Sequence, residues 1–450
     1  MAEPESPSAR LAPGPPGWPL LGHFLAIRRD VLGLLRAAVR DHGDVVRFRI
    51  GPAVVHLLNH PDLVTHVLAT HRHNYDKASR SSSAISAICG ESVLTANGPA
   101  WHWRRRLLQP MFHRAAITRF VGTMVECARE TVERWRVQVR SGNPVEAASE
   151  MMRLTYRIVG KCLFGTELGA DARAVEEAMH VLLAETFRRW RSPFPWPLSW
   201  PLPSHRRFRR ALRSADETVA RLIREHRESP PAEPDLLSLL LQARDAETGQ
   251  GLDDGQVRNE TITLLLAGHE TTATALAWTL HLLAVHPETQ EAMRAEAVAA
   301  ASPGPPDPAS ATGLPLTTMV FQESLRLHPP VWAMERHAVE EDTVGGFRIP
   351  AGSSVIISPY TLHRHRDFWD DPEVFDPSRF QKDPPPAYLP FGDGPRFCVG
   401  QEFAWAEARV ILPMLARAFR WRPAPGHKVE AEPGITLRLK HGLSLLVEER

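Results

Sequence analysis

Apolar positions along the chain follow two spacings. At residues 44–50 (DVVRFRI) and 53–59 (AVVHLLN) apolar and β-branched residues run together on either side of Gly51-Pro52. Two such runs across a two-residue turn predict a hairpin. From Pro61 to about Ala300 the spacing changes to three and four, as at Ile117, Phe120, Val121, Met124 and Val125 within residues 112–139. That spacing predicts helix. Residues 189–204 (RWRSPFPWPLSWPLPS) interrupt it, because proline removes a backbone donor and clashes with the preceding turn. They predict a loop between two helices. A polar run at 244–255 leads into a long helical pattern from about Asp254 to His286, stopped by Pro287. Residues 299–315 read as a Pro/Gly/Ala surface loop. Short strand candidates follow at 336–339, 354–357, 435–439 and 443–447, with a helical pattern at 401–419 between them. No internal repeat occurs. The pattern predicts a mainly α (α+β) fold with small β-sheets. Residues 1–17 read as a Pro-rich mobile leader and 18–450 as one domain.

Composition narrows this reading. Hydrophobic residues make up 43% and charged residues 23% of 450, so a packed core is within reach and global disorder is excluded. The net charge of +1 argues against a protein that binds nucleic acid over its whole surface. Four cysteines exclude a disulfide scaffold and point to a reducing compartment. The N-terminal stretch lacks the apolar core of a secretory signal. The most apolar window, 263–285, carries His269, Glu270, His281 and several threonines, which disfavours a transmembrane anchor. These features predict a soluble, cytoplasmic protein.

The most informative stretch is Phe391-Gly392-Asp393-Gly394-Pro395-Arg396-Phe397-Cys398-Val399-Gly400. Its glycines predict a tight turn, and the helix that follows places Cys398 at a helix N-terminus, where free N–H groups favour a thiolate. A lone thiolate with no second Cys or His nearby suits the axial position of heme iron better than a zinc site. Arg396 can then pair with a heme propionate, and Gly400 lets the chain pass close to a flat macrocycle. The competing reading is a Gly-rich loop around an inert cysteine. A phosphate loop is excluded, since no Gly-Lys-Ser/Thr follows. Pro413 predicts a bend in the following helix.

This segment resembles the Phe-x-x-Gly-x-Arg-x-Cys-x-Gly signature of the cytochrome P-450 family. Four further motifs occur in that family's order. Ala267-Gly268-His269-Glu270-Thr271-Thr272 resembles the family's acid–alcohol motif; on its own it reads equally as a core helix whose threonines bond their own backbone. A zinc-protease reading fails, because the second histidine of His-Glu-x-x-His is replaced by Ala273. Glu323 and Arg326 lie three apart on one helical face, and Arg379 follows in Phe375-Asp376-Pro377-Ser378-Arg379-Phe380. The resemblance implies a buried triad of Glu323, Arg326 and Arg379 that locks the cysteine loop. Trp101-His102-Trp103-Arg104-Arg105 resembles the family's Trp-x-x-x-Arg, although residues 104–106 read equally as a solvated basic face. Arg336 resembles a third propionate arginine, or is simply a strand-edge charge. The 21 histidines, His56, His102, His363 and His365 among them, read as surface residues or structural donors. Cys89, Cys127 and Cys162 read as free buried thiols.

The resemblance covers residues ~40–450 and implies a heme-thiolate monooxygenase containing heme b (iron protoporphyrin IX). Cys398 is then the iron ligand. Trp101, Arg105, Ala267, Gly268, Arg336, Phe391, Arg396 and Gly400 contact the cofactor. Thr271 holds a water or oxygen species, and Glu270 relays protons from solvent. O2 is a substrate, and electrons come from a ferredoxin or flavodoxin-type donor with its reductase, docked behind Cys398. A peroxide-driven variant and a heme sensor are alternatives that do not need the acid–alcohol pair. The implied pocket, at 75–94, 187–202, 263–267, 331–334 and 434–437, is mostly apolar, with aromatics at Phe187, Trp190, Phe194, Trp196 and Trp332. A lipophilic substrate of terpenoid, polyketide or fatty-acid type follows, to be hydroxylated or epoxidised.

Overall fold

The computed structural model describes residues 10–165, 169–190, 196–300 and 313–450. Six helices frame the site: α1 (Gly98–Leu108), α2 (Val121–Arg140), α3 (Ala147–Phe164), α4 (Asp254–Val285), α5 (Pro315–Leu327) and α6 (Gln401–Ala418). The main core gathers the apolar faces of α2, α3, α4 and α6. α4 is buried on nearly every side beyond its first turn; apolar residues occur all round it, and the threonines, His269, Glu270 and His281 are enclosed with them or partner other segments. Its start is fixed by a capping box: Asp253 Oδ1 accepts the Gln256 N–H at 2.8 Å, and Gln256 Oε1 accepts the Asp253 N–H at 3.0 Å. Pro287 opens the next helix and prevents continuation.

A five-stranded sheet lies beside the helices. It comprises β1 (Val45–Ile50), β2 (Ala53–Leu58), β3 (Tyr75–Asp76), β4 (Met334–Ala338) and β5 (Ser354–Ile357). The order is β1-β2-β5-β4-β3, with only the β2–β5 pair parallel. The hairpin expected across Gly51-Pro52 is present, with Ile50 opposite Ala53. A two-stranded ribbon, β6 (Ala431–Pro433) with β7 (Leu437–Leu439), ends on the turn that meets α4.

Several expectations need correction. The helix expected over 112–139 starts only at Arg114, because His113 takes an extended backbone (ψ 149°), and it is split into Arg114–Thr118 and α2 at Arg119–Phe120, where the Phe120 ring packs tilted against Phe403. The strand expected from 435 begins at Leu437, because the Gly434 N–H closes a tight turn on the Thr436 carbonyl at 2.8 Å. Arg336 does not open a strand but sits third in β4, buried. Part of the expected leader is paired: Arg10–Leu11 runs parallel to the strand Phe347–Ile349, and the Arg47 N–H donates to the Pro13 carbonyl at 2.7 Å. Residues 1–9 lie outside the described residues, as do most of 299–315, Phe194 and the side chain of Trp190. α6 runs unbroken through Pro413.

The histidines are not all at the surface. His56 on β2 is fully buried opposite Arg47, and neither ring nitrogen meets a protein partner. Burial pushes its pKa down to about 4, helped by Arg47. A histidine depressed below its unfolded value contributes stability above pH ~6.5 that is lost as pH falls toward the folded value. His56→Leu is therefore expected to raise stability at neutral pH by ~1–3 kcal/mol. It should also flatten the loss between pH 6.5 and 4. Urea titrations across that range check both; a variant as acid-sensitive as the wild type removes His56 as a cause.

Candidate active site

The cysteine loop is built by backbone geometry. The Cys398 N–H donates to the Phe391 carbonyl at 2.9 Å. Gly394 has φ +68°, and a Cβ there would overlap the carbonyl oxygen of Leu68, so only glycine fits. Cys398 is the one cysteine with an accessible surface; Cys89, Cys127 and Cys162 are buried as expected. Protein mass around the loop raises the Cys398 thiol above its usual pKa, while the Gly400 N–H and Arg105 pull it down. The helix N-terminus expected to favour a thiolate thus does not outweigh desolvation. A cation at the sulfur would. Gly400 meets nothing nearer to a would-be Cβ than Cys398 Sγ at 4.0 Å, which leaves room beside the sulfur.

Four cations surround the same region. Arg105 Nη1 donates to the Phe397 carbonyl at 3.0 Å, its guanidinium lies 4.7 Å from the Phe397 ring, and its Nη2 is buried without a partner. Arg396 stacks on Trp101 at 4.4 Å and donates through Nη2 to the Ala96 carbonyl (2.8 Å) and Asn97 Oδ1 (3.2 Å). Its Nη1 is buried without a partner. Arg336 on β4 donates to the carbonyl of Glu335. Burial lowers both Arg336 and Arg396 to about 10, and Arg336 also repels Arg396. Lys77, which sequence reasoning missed, gives its ammonium to the Leu94 carbonyl at 2.7 Å. Burial pushes it well below its usual range, and Arg336 and Arg396 push it further. Among the described residues none of the four ion-pairs with a carboxylate. Desolvated cations without counter-charges are costly, so this is where an anionic group fits.

The Glu323–Arg326 pair is present and fully buried: Nε to Oε2 is 2.6 Å and Nη2 to Oε1 is 2.8 Å. Arg326 also donates to the carbonyls of His363 (3.0 Å), Pro372 (2.6 Å) and Val374 (3.0 Å). Arg379 is a looser third member, with Nε 3.6 Å from Glu323 Oε1 and no hydrogen bond between them. Its Nη2 binds the Asp371 carbonyl instead, at 3.1 Å. His363 is not a surface residue. It is fully buried, its Nδ1 pairs with the Arg326 carbonyl at 3.2 Å, and its Nε2 accepts the Leu389 N–H at 2.9 Å. Burial drives its pKa down to about 3, so the ring stays neutral.

On α4 the motif residues separate. Ala267 is exposed and Thr271 half-buried, with the Thr271 hydroxyl donating to the Ala267 carbonyl at 2.7 Å. Glu270 is buried and does not reach solvent directly. Its Oε1 accepts the Thr436 hydroxyl at 2.7 Å and lies 4.0 Å from Arg438 Nε. Gly268 serves helix packing: a Cβ there would stand 3.0 Å from Val159 of α3. Nearby, Glu407 of α6 is fully buried and its carboxyl is pushed well above its usual range by burial, opposed by Thr272. Of the expected pocket aromatics, Trp332 is turned into the core with Nε1 on the Gly434 carbonyl at 3.0 Å. Trp196 is exposed and stacks on Trp200.

A profile described as Cytochrome P450 matches residues 12–444. The chain belongs to the cytochrome P450 family. It is 36% identical to cyclooctatin synthase of Streptomyces melanosporofaciens over 95% of this chain and 93% of that protein. It is equally 36% identical to cyclooctat-9-en-7-ol 5-monooxygenase of the same organism, over 94% and 92%. Identity to pentalenene oxygenase of Streptomyces avermitilis is 32%, over 92% and 91%. This cytochrome P450 is a monooxygenase with a heme-thiolate cofactor, and it takes O2 and electrons from an external donor. The residues fit that cofactor. Cys398 is the one exposed cysteine, and among the described residues no group of three or more His, Cys, Asp or Glu is placed to hold a metal ion. Unpartnered guanidinium nitrogens of Arg105 and Arg396 stand ready for carboxylates. Among the described residues no helix is long and apolar enough to cross a membrane.

Glu323→Gln leaves Arg326 charged and uncompensated in a fully buried position. It is expected to cost ~3–5 kcal/mol and to lower the heme-to-protein ratio, read by guanidinium denaturation and pigment absorbance. A variant that keeps full heme and stability refutes the locking role.

Proposed function

We propose that this cytochrome P450 hydroxylates or epoxidises a cyclic, terpenoid-type hydrocarbon, using heme b. The observation that carries the site assignment is the accessible Cys398 sulfur set among four desolvated, carboxylate-free cations. Cys398 is the iron ligand, and Arg105, Arg336, Arg396 and Lys77 receive the two propionates. When bound, the heme supplies oxygen activation, and thiolate ligation favours O–O cleavage. The chain's own residues supply the rest. Thr271 presents a hydroxyl from the half-buried turn of α4, where it can pass a proton from its oxygen after giving up its bond to the Ala267 carbonyl. Glu270 holds the next proton site, reached through Thr436 and Arg438 rather than open solvent.

The substrate class is supported by the relatives' names, which carry cyclooctatin, cyclooctat-9-en-7-ol and pentalenene skeletons. The electron donor is of ferredoxin or flavodoxin type with its reductase. It docks on the Cys398 side, where the helix Arg114–Thr118 packs on α6 and exposes Arg114 beside the nearby Arg119. Arginines there suit an acidic donor.

Reduced protein under carbon monoxide is expected to show the red-shifted Soret band of cysteinate ligation, and Cys398→Ser to lose it with all activity. A band at the imidazole-ligated position in intact wild-type protein overturns the assignment. With a surrogate ferredoxin system and pentalenene as probe, Thr271→Ala is expected to divert NADH electrons to peroxide and reduce product by on the order of 10²-fold. Unchanged product yield removes Thr271 from the proton path.

A further inference from the structure

Glu260 lies in the second turn of α4 with no exposed surface, and Arg104 of α1 is 3% exposed. Arg104 Nη1 donates to Glu260 Oε1 at 3.2 Å, and Nη2 donates to Glu91 Oε2 at 3.3 Å. Both Glu260 oxygens share the Val93 N–H at 3.0 Å. Burial pushes the Glu260 carboxyl up to about 7, while the Val93 N–H and Arg104 pull it down. Next to it, Asn259 Nδ2 donates to the Glu91 carbonyl at 3.2 Å. Gly90, at φ +60°, has no Cβ to displace the Asn259 amide. Replacing a buried ion pair by apolar side chains is often neutral or stabilising, so the pair is not explained by stability alone, although at 260 the change also takes the acceptor from the Val93 N–H. The ion pair therefore calls for a role other than stability.

What the pair holds is the 90–97 loop, and that loop seats two of the four cations. The Leu94 carbonyl receives the Lys77 ammonium, and the Ala96 carbonyl receives Arg396. Asn97 Oδ1 accepts both the Lys77 N–H (3.0 Å) and Arg396 Nη2 (3.2 Å). A line of direct contacts thus runs from α4 through the loop to the cationic set.

We propose that Glu260 and Arg104 are positioning residues: their ion pair clamps the 90–97 loop between α4 and α1 and thereby sets where Lys77 and Arg396 present their charges. The part of this that concerns the cofactor rests on the reading above that these cations receive heme carboxylates. The clamp itself does not.

The test uses the holoprotein and the double variant Glu260→Leu/Arg104→Leu. Its thermal midpoint is expected close to that of the wild type, since loss of the acceptor for the Val93 N–H offsets the removal of two buried charges. Amide hydrogen exchange over 90–97 should nevertheless rise at least tenfold, and heme transfer from the holoprotein to excess apomyoglobin should speed up about tenfold. Glu260→Gln, which keeps the volume and loses the charge, should raise exchange over the same residues without the packing change. Unchanged exchange over 90–97 in either folded variant overturns the clamp. A loosened loop with an unaltered rate of heme transfer overturns its link to the cations. Should wild-type protein fail to take up heme while the variants still loosen the loop, the clamp stands and the heme reading falls.

Discussion

One buried guanidinium organises the region around the cysteine. Arg326 has no exposed surface, and its donors go to Glu323 and to three carbonyls in the 363–374 stretch. That stretch has little regular structure, so its backbone groups need partners from elsewhere. Glu323 Oε1, which already accepts Arg326 Nη2, also accepts the Asp376 N–H at 2.9 Å. Beyond it, Tyr388 donates to the Gln322 carbonyl, and His363 takes the Leu389 N–H. A loop that lacks hydrogen-bonded ladders of its own is thereby tied to α5 at several points, and the cysteine turn begins two residues after the last tie. Breaking a buried pair of this kind is far more costly than never having had it, which makes the arrangement rigid.

The second organising feature is a shortage of negative charge. The whole chain is balanced to within one charge. The carboxylates, however, are spent elsewhere: Glu260 on Val93 and Arg104, Glu323 on Arg326, Glu270 on Thr436. Arg105, Arg336, Arg396 and Lys77 are left with carbonyls, an amide and aromatic faces as partners. Carbonyl oxygens satisfy hydrogen-bond donors but compensate charge poorly, so burial lowers the pKa of each. The same low polarity raises the Cys398 thiol. Sulfur and cations are both kept in states that a metal cation at the sulfur and carboxylates at the guanidinium and ammonium groups would relieve.

α4 joins these features. Its first turns grip the 90–97 loop, its middle presents Thr271 and pins Glu270 to the β7 turn, and Gly268 lets it approach α3 closely. Thr155 of α3 closes the contact by donating to the His269 carbonyl at 3.0 Å. One rigid rod thus relates the loop, the acid–alcohol pair and the β7 turn to one another.

The sequence alone determined the hairpin at Gly51-Pro52, the span of α4, the helix after the cysteine and the Glu323–Arg326 pair. Each rests on contacts within a few residues or on a periodic pattern, which local order encodes. It also marked Cys398 and the arginines, because fixed spacing in a glycine turn is a local property. Tertiary structure alone decided the partners. Nothing near Glu270 in the chain announces Thr436, 166 residues away, and nothing near Lys77 announces Arg336 and Arg396. His363 and His56 read as surface residues or structural donors until packing encloses them, and nothing near Gly268 in the chain announces Val159, which stands against it. Burial and long-range pairing set charge states and side-chain roles, and both depend on which distant segments the core brings together.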